Sequence, residues 1–204
     1  MKRYLFIFTA LLYANVCFSQ GKQPAAGDLE SPKLVIKTNA LYWLLTTPNL
    51  SVETALSDKL SLDIASNFNP WKFGAHARFQ HFLIQPELRY WLDKPMKGHY
   101  FGFHVHYLYV NVGFIDTHIT VPFNLHLSFM PDFRKQGNIY GLGFSYGYNW
   151  RLNAKWALEG VLSIGYAHLK YNTYQRDGYK FPGYDYYNYV GPTKLAANLI
   201  YIIK

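Results

Sequence analysis

The chain has 204 residues, a formal net charge of +8 and an aromatic content of 19%. This length suits one domain, and the basic residues are scattered rather than gathered in a stripe, so nucleic acid is excluded as an expected partner. The single cysteine, Cys17, lies within the first twenty residues, and no disulfide is expected in the folded domain.

The first nineteen residues have the pattern of a secretory signal peptide. Met1–Arg3 is basic, Tyr4–Val16 is mostly apolar, and Cys17–Ser19 offers a small-x-small cleavage site. A membrane-anchoring helix is the first alternative, but the run is shorter than the roughly 20 apolar residues that a span needs. A lipoprotein signal is the second, but the Leu usual before a lipidated cysteine is missing. We predict cleavage of residues 1–19, followed by a flexible lead segment at 20–32.

Residues 33–204 alternate between apolar and small or polar side chains with period two, which predicts β-strands. Eight segments show this pattern: Lys33–Leu44, Leu50–Leu56, Leu60–Phe68, Phe82–Leu92, His99–Val110, Tyr140–Leu152, Trp156–Leu169 and Tyr189–Ile203. Short turns alternate with long links at Asn69–His81, Asn111–Gln136 and Asn172–Asn188. No stretch predicts an obligatory helix.

The segment Tyr140–Leu152 indicates which way the strand faces point. Its large apolar side chains alternate with Gly, Ser, Asn and Arg, whereas a water-facing strand surface normally carries residues such as Lys, Glu and Thr. Small and polar residues suit the inside of a narrow barrel, which leaves the apolar face toward lipid. A soluble eight-stranded barrel would have the opposite sidedness. We therefore predict an all-β, eight-stranded, antiparallel, up-and-down transmembrane β-barrel.

Aromatic residues should then lie at two heights on the barrel wall. The predicted girdle near the short turns contains Tyr90, Trp150, Trp156 and Tyr201, and the girdle near the long links contains Tyr42, Phe68, Tyr109, Tyr140 and Tyr166. Short turns on one side and long links on the other are typical of bacterial outer-membrane barrels. This pattern predicts the outer membrane of a Gram-negative bacterium, with both termini periplasmic.

Seven charged residues fall on the predicted inward face: Lys37, Glu53, Asp63, Glu87, Arg89, Glu159 and Lys194. An eight-stranded barrel is too narrow for an open channel, so we predict a structural ion-pair network with one surplus negative charge. A proton or ion path, or a gated small pore, is the alternative. Pro86 predicts a β-bulge in its strand, and Pro192 raises the same question.

The histidines allow a hydrolase hypothesis, in which His168 would act with a nearby serine and an acid. No nucleophile motif supports this hypothesis, and Ser145 and Ser163 lie among small inward-facing residues. His104 and His106 both face the lumen, where packing is commoner than metal ligation. We therefore predict no catalytic residues, no metal site and no cofactor.

The last long link is rich in tyrosine and small polar residues, a composition typical of adaptable recognition surfaces. The same rings could instead extend the girdle or pack against the rim. The candidate external ligand site contains Tyr174, Tyr179, Tyr184, Tyr186 and Tyr187. The preceding link, Asn111–Arg134, is apolar enough to predict a lid or an extra hairpin over the mouth.

Several short signatures support these expectations: Lys37-Thr38-Asn39, Thr47-Pro48-Asn49, Asn69-Pro70-Trp71, Gln85-Pro86-Glu87-Leu88-Arg89-Tyr90-Trp91, Asn111-Val112-Gly113, Tyr146-Gly147-Tyr148 and Gly191-Pro192-Thr193-Lys194. Their order resembles a family of small bacterial outer-membrane β-barrel proteins catalogued as a domain of unknown function, distantly similar to the OmpA membrane domain. The resemblance implies fold and location, and it implies no agreed activity. Some members resemble accessory proteins of fimbriae.

The function predicted from the sequence is that of a non-enzymatic outer-membrane barrel with surface-exposed aromatic loops. Its role would be envelope-structural, adhesive or fimbria-associated. The expected partners are outer-membrane lipid and lipopolysaccharide, with a surface glycan or a fimbrial or envelope protein as the external candidate. The alternatives are a hydrolase of outer-membrane lipid or lipopolysaccharide, and a narrow solute or ion pore.

Overall fold

The computed structural model describes residues 32–73, 76–115, 120–121, 125–126 and 129–203. The predicted signal peptide and nearly all of the predicted lead segment lie outside these residues. Within them, no helix has the length and apolar character needed to cross a bilayer.

Eight antiparallel strands close into a barrel, which confirms the predicted all-β, eight-stranded, up-and-down barrel. The described residues contain these eight strands and two short ones outside the barrel. In chain order the ten are β1 (Leu34–Asn39), β2 (Asn49–Ala55), β3 (Leu60–Phe73), β4 (Ala77–Trp91), β5 (Gly98–Ile115), β6 (Thr120–Val121), β7 (Leu125–His126), β8 (Phe129–Arg151), β9 (Trp156–Tyr174) and β10 (Asp185–Ile202). The barrel order is β1-β10-β9-β8-β5-β4-β3-β2, and β6 pairs with β7 in a separate small sheet. The link predicted to hold a lid or an extra hairpin therefore contains a hairpin.

The barrel has a low side and a tall side. β1 and β2 have six and seven residues, whereas the other six barrel strands have 14 to 23. The long links predicted at Asn69–His81 and Asn111–Gln136 are therefore largely strand among the described residues, whereas Asn172–Asn188 is strand only at its two ends. The first barrel strand begins and the last one ends at the same rim, where Val35 of β1 pairs with Ile202 of β10. We call this the short-turn rim and the opposite end the hairpin rim.

The first link contains a short helix, α1 (Ala40–Leu44), where a single strand over Lys33–Leu44 was predicted. Asn39 ends β1 and caps this helix, because its side-chain oxygen accepts a hydrogen bond from the Leu41 backbone N–H at 3.0 Å. The predicted girdle position of Tyr42 is wrong, because α1 directs this ring into a small cavity inside the barrel. The exposed side chains of this link include Trp43 instead.

The two prolines for which the sequence raised a β-bulge differ. The register of β9 and β10 shifts between Pro192 and Lys194, so a bulge is present there. The bulge predicted at Pro86 is wrong, because Pro86 pairs with Ile64 of β3 in an unbroken register. The pairing of β4 with β5 also keeps one register on both sides of Pro86. The missing N–H therefore removes a hydrogen bond without inserting an extra residue.

The glycines of β8 make room for large side chains of β5. Tyr100 lies opposite Gly147, and His104 lies opposite Gly143. A Cβ atom at either glycine would collide with the ring across the strand pair. At the level between them the sizes reverse, since Gly102 of β5 faces Ser145 of β8. The small inward face of β8 is therefore a packing requirement of a narrow barrel.

Candidate functional site

All seven charged residues predicted to face inward meet inside the barrel, and Arg89 is at their centre. Its Nη1 atom lies 2.8 Å from carboxylate oxygens of both Glu53 and Glu159. Its Nη2 atom lies 2.8 Å from Asp63 Oδ2, and its Nε atom lies 2.7 Å from Glu87 Oε1. The Arg89 side chain is fully buried. One guanidinium therefore contacts four carboxylates.

Two lysines complete the network. Lys37 Nζ is paired with three carboxylates: Glu53, Asp63 at 3.5 Å and Glu159 at 3.3 Å. Lys194 Nζ lies 3.0 Å from Glu87 Oε2 and 3.8 Å from Asp63 Oδ2. Each of the four carboxylates thus contacts at least two cations, which is the arrangement that offsets the desolvation of buried charge.

Neutral residues that the sequence reasoning did not include bind the remaining oxygens. Ser51 donates a hydrogen bond to Asp63, and Ser61 donates one to Glu53. Asn198 Nδ2 donates to Glu159 Oε1 at 2.7 Å. Inward parity in the alternating pattern was the signal that could have identified these three residues. Charge alone was too narrow a criterion.

Two rings and one imidazole also belong to this layer. The Arg89 guanidinium lies 4.5 Å from the centre of the Tyr100 ring, a cation–π contact. Trp91 Nε1 donates a hydrogen bond of 2.7 Å to Ser61 Oγ. His104 Nδ1 lies 3.6 Å from Glu87 Oε2.

The interior is filled on both sides of the ion-pair layer. Toward the short-turn rim, a buried apolar cluster includes Val35, Trp91, Met96 and Ile200. Met96 comes from the turn between β4 and β5, where a backbone φ of 61° places it in the left-handed region. Toward the hairpin rim, a polar cavity of about 30 Å³ adjoins Asp63, enough for one or two water molecules.

The predicted girdle residues on the outer wall lie about ten residues apart along their strands. Trp150 and Tyr140 on β8, and Trp156 and Tyr166 on β9, are each separated by ten positions. Ten residues rise about 33 Å along a strand, and a tilt of about 40° reduces this to about 25 Å along the barrel axis. Tyr90 and Tyr201 lie near the short-turn rim, where Tyr201 pairs with Trp156.

The apolar residues between these heights are outside the barrel. Phe144, Leu162 and Ile164 are 60 to 66% exposed, although they are large hydrocarbon side chains. Their neighbours Ser145 and Ser163 point inward and are buried. The side chains of this part of the wall therefore have the sidedness predicted from the alternation.

Above Tyr140, toward the hairpin rim, the two faces exchange character. The residues that follow Tyr140 on the outward face are Asn138 and Gln136, whose side chains form 2.8 Å hydrogen bonds with the hydroxyls of Tyr107 and Tyr109. The residues on the inward face become apolar: Val110 and Val112 on β5, Ile139 on β8, and Leu169 and Tyr171 on β9. This upper part of the wall has polar residues outside and apolar residues inside.

The apolar inward residues surround a cavity of about 400 Å³ near the hairpin rim, which we call the hairpin-side cavity. Lys135, Asn138 and Tyr187 also line it. Lys135 Nζ lies 4.5 Å from the centre of the Tyr171 ring and 3.3 Å from its hydroxyl oxygen. The alternation did not predict this cavity, because the strands were interpreted as ending at or just above the girdle.

The five tyrosines predicted as an external ligand site do not form one cluster. Tyr174 ends β9 and stacks on the Arg134 guanidinium at 4.3 Å. Tyr187 lines the hairpin-side cavity. The other three, Tyr179, Tyr184 and Tyr186, are each more than half exposed on the β9–β10 hairpin.

Basic residues accompany the exposed tyrosines. Lys170 Nζ lies 4.5 Å from the Tyr184 ring centre and 5.8 Å from that of Tyr186. Lys180 Nζ lies 5.4 Å from the Tyr184 ring centre. The hairpin therefore presents a mixed basic and aromatic surface, a combination that suits sugars and anionic groups.

His168 lies on the opposite side of the barrel wall from Ser145 and Ser163. His168 is on the outward face of β9, where its Nδ1 lies 2.8 Å from Asn188 Oδ1 and its ring stacks on Tyr186. Ser163, on the same strand, is buried on the inward face, opposite Ser145 of β8. Neither of these two serines can therefore contact His168.

The chain matches the model of the family described as "Protein of unknown function (DUF3575)" over residues 7–203. Because the match covers nearly the whole chain, the protein belongs to this family. Comparisons with curated proteins and with solved structures found no match. The resemblance noted from the sequence signatures is thus confirmed at the level of an uncharacterised domain family.

Proposed function

We propose that this DUF3575 protein is a non-enzymatic outer-membrane β-barrel, distantly similar to the OmpA membrane domain, that serves the cell envelope as a filled scaffold presenting a basic and aromatic hairpin. The observation that carries the proposal is the sidedness of the wall. Exposed hydrocarbon side chains such as Phe144 and Leu162 surround a polar, ion-paired interior. In water so large an apolar surface would promote aggregation, whereas in a bilayer it is matched by lipid.

The dimensions of this surface support the membrane location. The apolar band between Trp150 and Tyr140 measures about 25 Å along the barrel axis, which matches the lipid-facing band of outer-membrane barrels. The polar outward residues begin directly above Tyr140, at Asn138. In this orientation the short-turn rim, with both chain termini, faces the periplasm, and the hairpin rim faces the outside of the cell. Outer-membrane lipid and lipopolysaccharide are then the immediate partners.

The hairpin and the filled interior together favour a presenting role. The exposed Lys180 and Tyr184, with the half-buried Lys170, form a surface that fits a surface glycan or an acidic patch on a fimbrial or envelope protein. The Arg89 network and the apolar cluster at Met96 block the lumen, so solute passage would require both to move. The role we propose is therefore envelope structure, adhesion or support of a fimbria.

Surface labelling of intact cells tests this location and orientation. The only cysteine is Cys17 in the predicted signal peptide, so the mature wild-type protein should not react with a thiol reagent. Tyr179→Cys on the hairpin should be labelled by a membrane-impermeant maleimide in intact cells. Ala154→Cys, equally exposed but in a short turn, should be labelled only after the outer membrane is permeabilised. Equal labelling of both variants in intact cells, or recovery of the protein in a soluble fraction, would contradict the proposal.

A further inference from the structure

We propose that the hairpin-side cavity binds the hydrocarbon chain of a single-chain anionic amphiphile. This site goes beyond the envelope role proposed above, because it rests on the shape and chemistry of the upper barrel rather than on the membrane location. A binding measurement on purified protein can therefore fail while the surface labelling succeeds, and the converse also holds.

The first argument is the exchange of faces above Tyr140. Directly below this level, down to the ion-pair layer, the barrel interior holds glycine, serine and charged side chains, and above it Val110, Val112, Ile139 and Leu169 point inward. Apolar inward faces in the upper half of a barrel are the arrangement that soluble barrels use to hold an apolar ligand. The outward face at the same height is polar, so this inward surface is not explained by contact with lipid.

The second argument is the size and openness of the cavity. Its volume of about 400 Å³ lies within the range of about 300–1,000 Å³ typical of small-molecule sites. Val112 is almost fully buried at the wall, whereas Tyr187 at the margin is 56% exposed. A ligand would therefore place its apolar part against the valine side and its other end near Tyr187.

The third argument is the single cation at the cavity. Lys135 Nζ contacts the ring and hydroxyl of Tyr171. Among the residues that the structure describes, no carboxylate lies within ion-pair distance of this ammonium. An apolar cavity with one unneutralised ammonium in its lining fits a ligand with one negative charge at the end of a chain.

The fourth argument is the low side of the barrel wall. β1 pairs with β10 only as far as Asn39, which faces Asn198. On the other flank, β2 begins at Asn49, which faces Asn67 of β3. Above these pairs, neither β10 nor β3 has a strand partner on this side among the described residues. Helix α1 contacts β10 on this side, and Tyr187 belongs to the β10 segment without a strand partner here, so the cavity margin adjoins a strand edge at which a chain can enter.

Binding of straight-chain carboxylates to the full mature protein in lipid nanodiscs tests the proposal. Radiolabelled octanoate, decanoate and laurate would be titrated, and uptake by empty discs would be subtracted. We expect saturable binding of about one molecule per barrel, with affinity rising up to about fourfold per added methylene group. Binding no greater than that of empty discs, or affinity independent of chain length, would overturn the proposal.

Three variants identify the site. Val110→Trp fills the cavity and should weaken laurate binding at least tenfold, whereas Val190→Trp adds the same ring at an outward position that is 75% exposed and should leave binding unchanged. Lys135→Gln should weaken laurate binding while leaving binding of uncharged dodecanol unchanged. Equal effects of the two tryptophan variants, or equal effects of Lys135→Gln on both ligands, would refute this site.

Two further measurements make the result interpretable. Heat-modifiable gel migration shows whether each variant is folded, and Lys135→Gln, which keeps the cavity volume nearly constant, remains decisive if Val110→Trp does not fold. Displacement of radiolabelled laurate by unlabelled laurate or by a lyso-phospholipid distinguishes a free carboxylate from a single-chain lipid as the source of the chain. The competitor that displaces the label at the lower concentration identifies the ligand class, and displacement by neither would overturn the proposal.

Discussion

Arg89 is the side chain whose removal should destabilise the barrel most. It forms ion pairs of 2.7 to 2.8 Å with four carboxylates, and it is fully buried. Removal of one partner from a single buried ion pair costs about 3–5 kcal/mol, chiefly because a charge is left uncompensated. Arg89→Ala would leave four buried acids facing Lys37 and Lys194. We therefore expect a loss of at least about 5 kcal/mol in the free energy of unfolding.

The expected loss is large relative to the total stability of a typical domain, about 5–15 kcal/mol. Urea unfolding in detergent micelles, followed by tryptophan fluorescence, would measure it. With a slope of about 2 kcal/mol per molar urea, the unfolding midpoint should fall by roughly 2.5 M. The free energies can be compared directly only if both variants unfold in one transition.

A matched control separates burial from pairing. Lys97 forms an ion pair of 3.1 Å with Asp93, but the two side chains are 44% and 56% exposed. Exposed pairs of this kind contribute about 0–1 kcal/mol, so Lys97→Ala should change the unfolding free energy by no more than that. Equal losses for Arg89→Ala and Lys97→Ala would show that the buried network does not stabilise the barrel.

Three further predictions test other parts of the barrel. Gly143→Val should destabilise the barrel by about 1–3 kcal/mol, because its Cβ would lie 2.9 Å from the His104 ring. The control, Gly160→Ala, has its nearest atom at 3.4 Å and should be nearly neutral in the same urea titration. Leu162→Lys should lower the free energy of unfolding in liposomes by about 2–4 kcal/mol if this face meets lipid. Asn172→Lys, above the girdle on the same face, should lower it little. Similar losses for both variants would argue against the proposed membrane boundary. Wild-type protein should show no steady conductance in planar bilayers, and stable single-channel openings would favour the pore.

The fold and the ion-pair network could be predicted from the sequence because both depend on period-two alternation alone. A shift of one residue moves every side chain of a strand to the opposite face. Once the apolar face is assigned outward, residues as distant in sequence as Lys37 and Glu159 are placed inside together. The number of strands sets the barrel radius, and a narrow radius brings these charges into contact.

Local features too short to establish a periodicity of their own could not be predicted. Helix α1 has five residues, too few to show a helical repeat, and its boundary depends on the hydrogen bond of Asn39. The position of Tyr42 was lost with it. Pro86 was assigned to a bulge because proline is rare inside sheets, but one lost hydrogen bond is tolerated there without a register shift.

The strand ends were misplaced for a different physical reason, and that reason links the fold to its surroundings. The rule that apolar side chains point outward holds only where the surroundings are apolar. Above Tyr140 the outward side chains are Asn138 and Gln136, which suit aqueous surroundings, and the apolar residues of the same strand point inward. Val110 and Ile139 therefore continue the strands while breaking the rule used to recognise them. The level at which the rule fails coincides with an aromatic ring about 25 Å above Trp150, and this is the height of the membrane boundary in the location that we propose. A wall whose inward face is apolar above that height must either pack on itself or hold a ligand, and the cavity of about 400 Å³ shows that packing alone does not fill it.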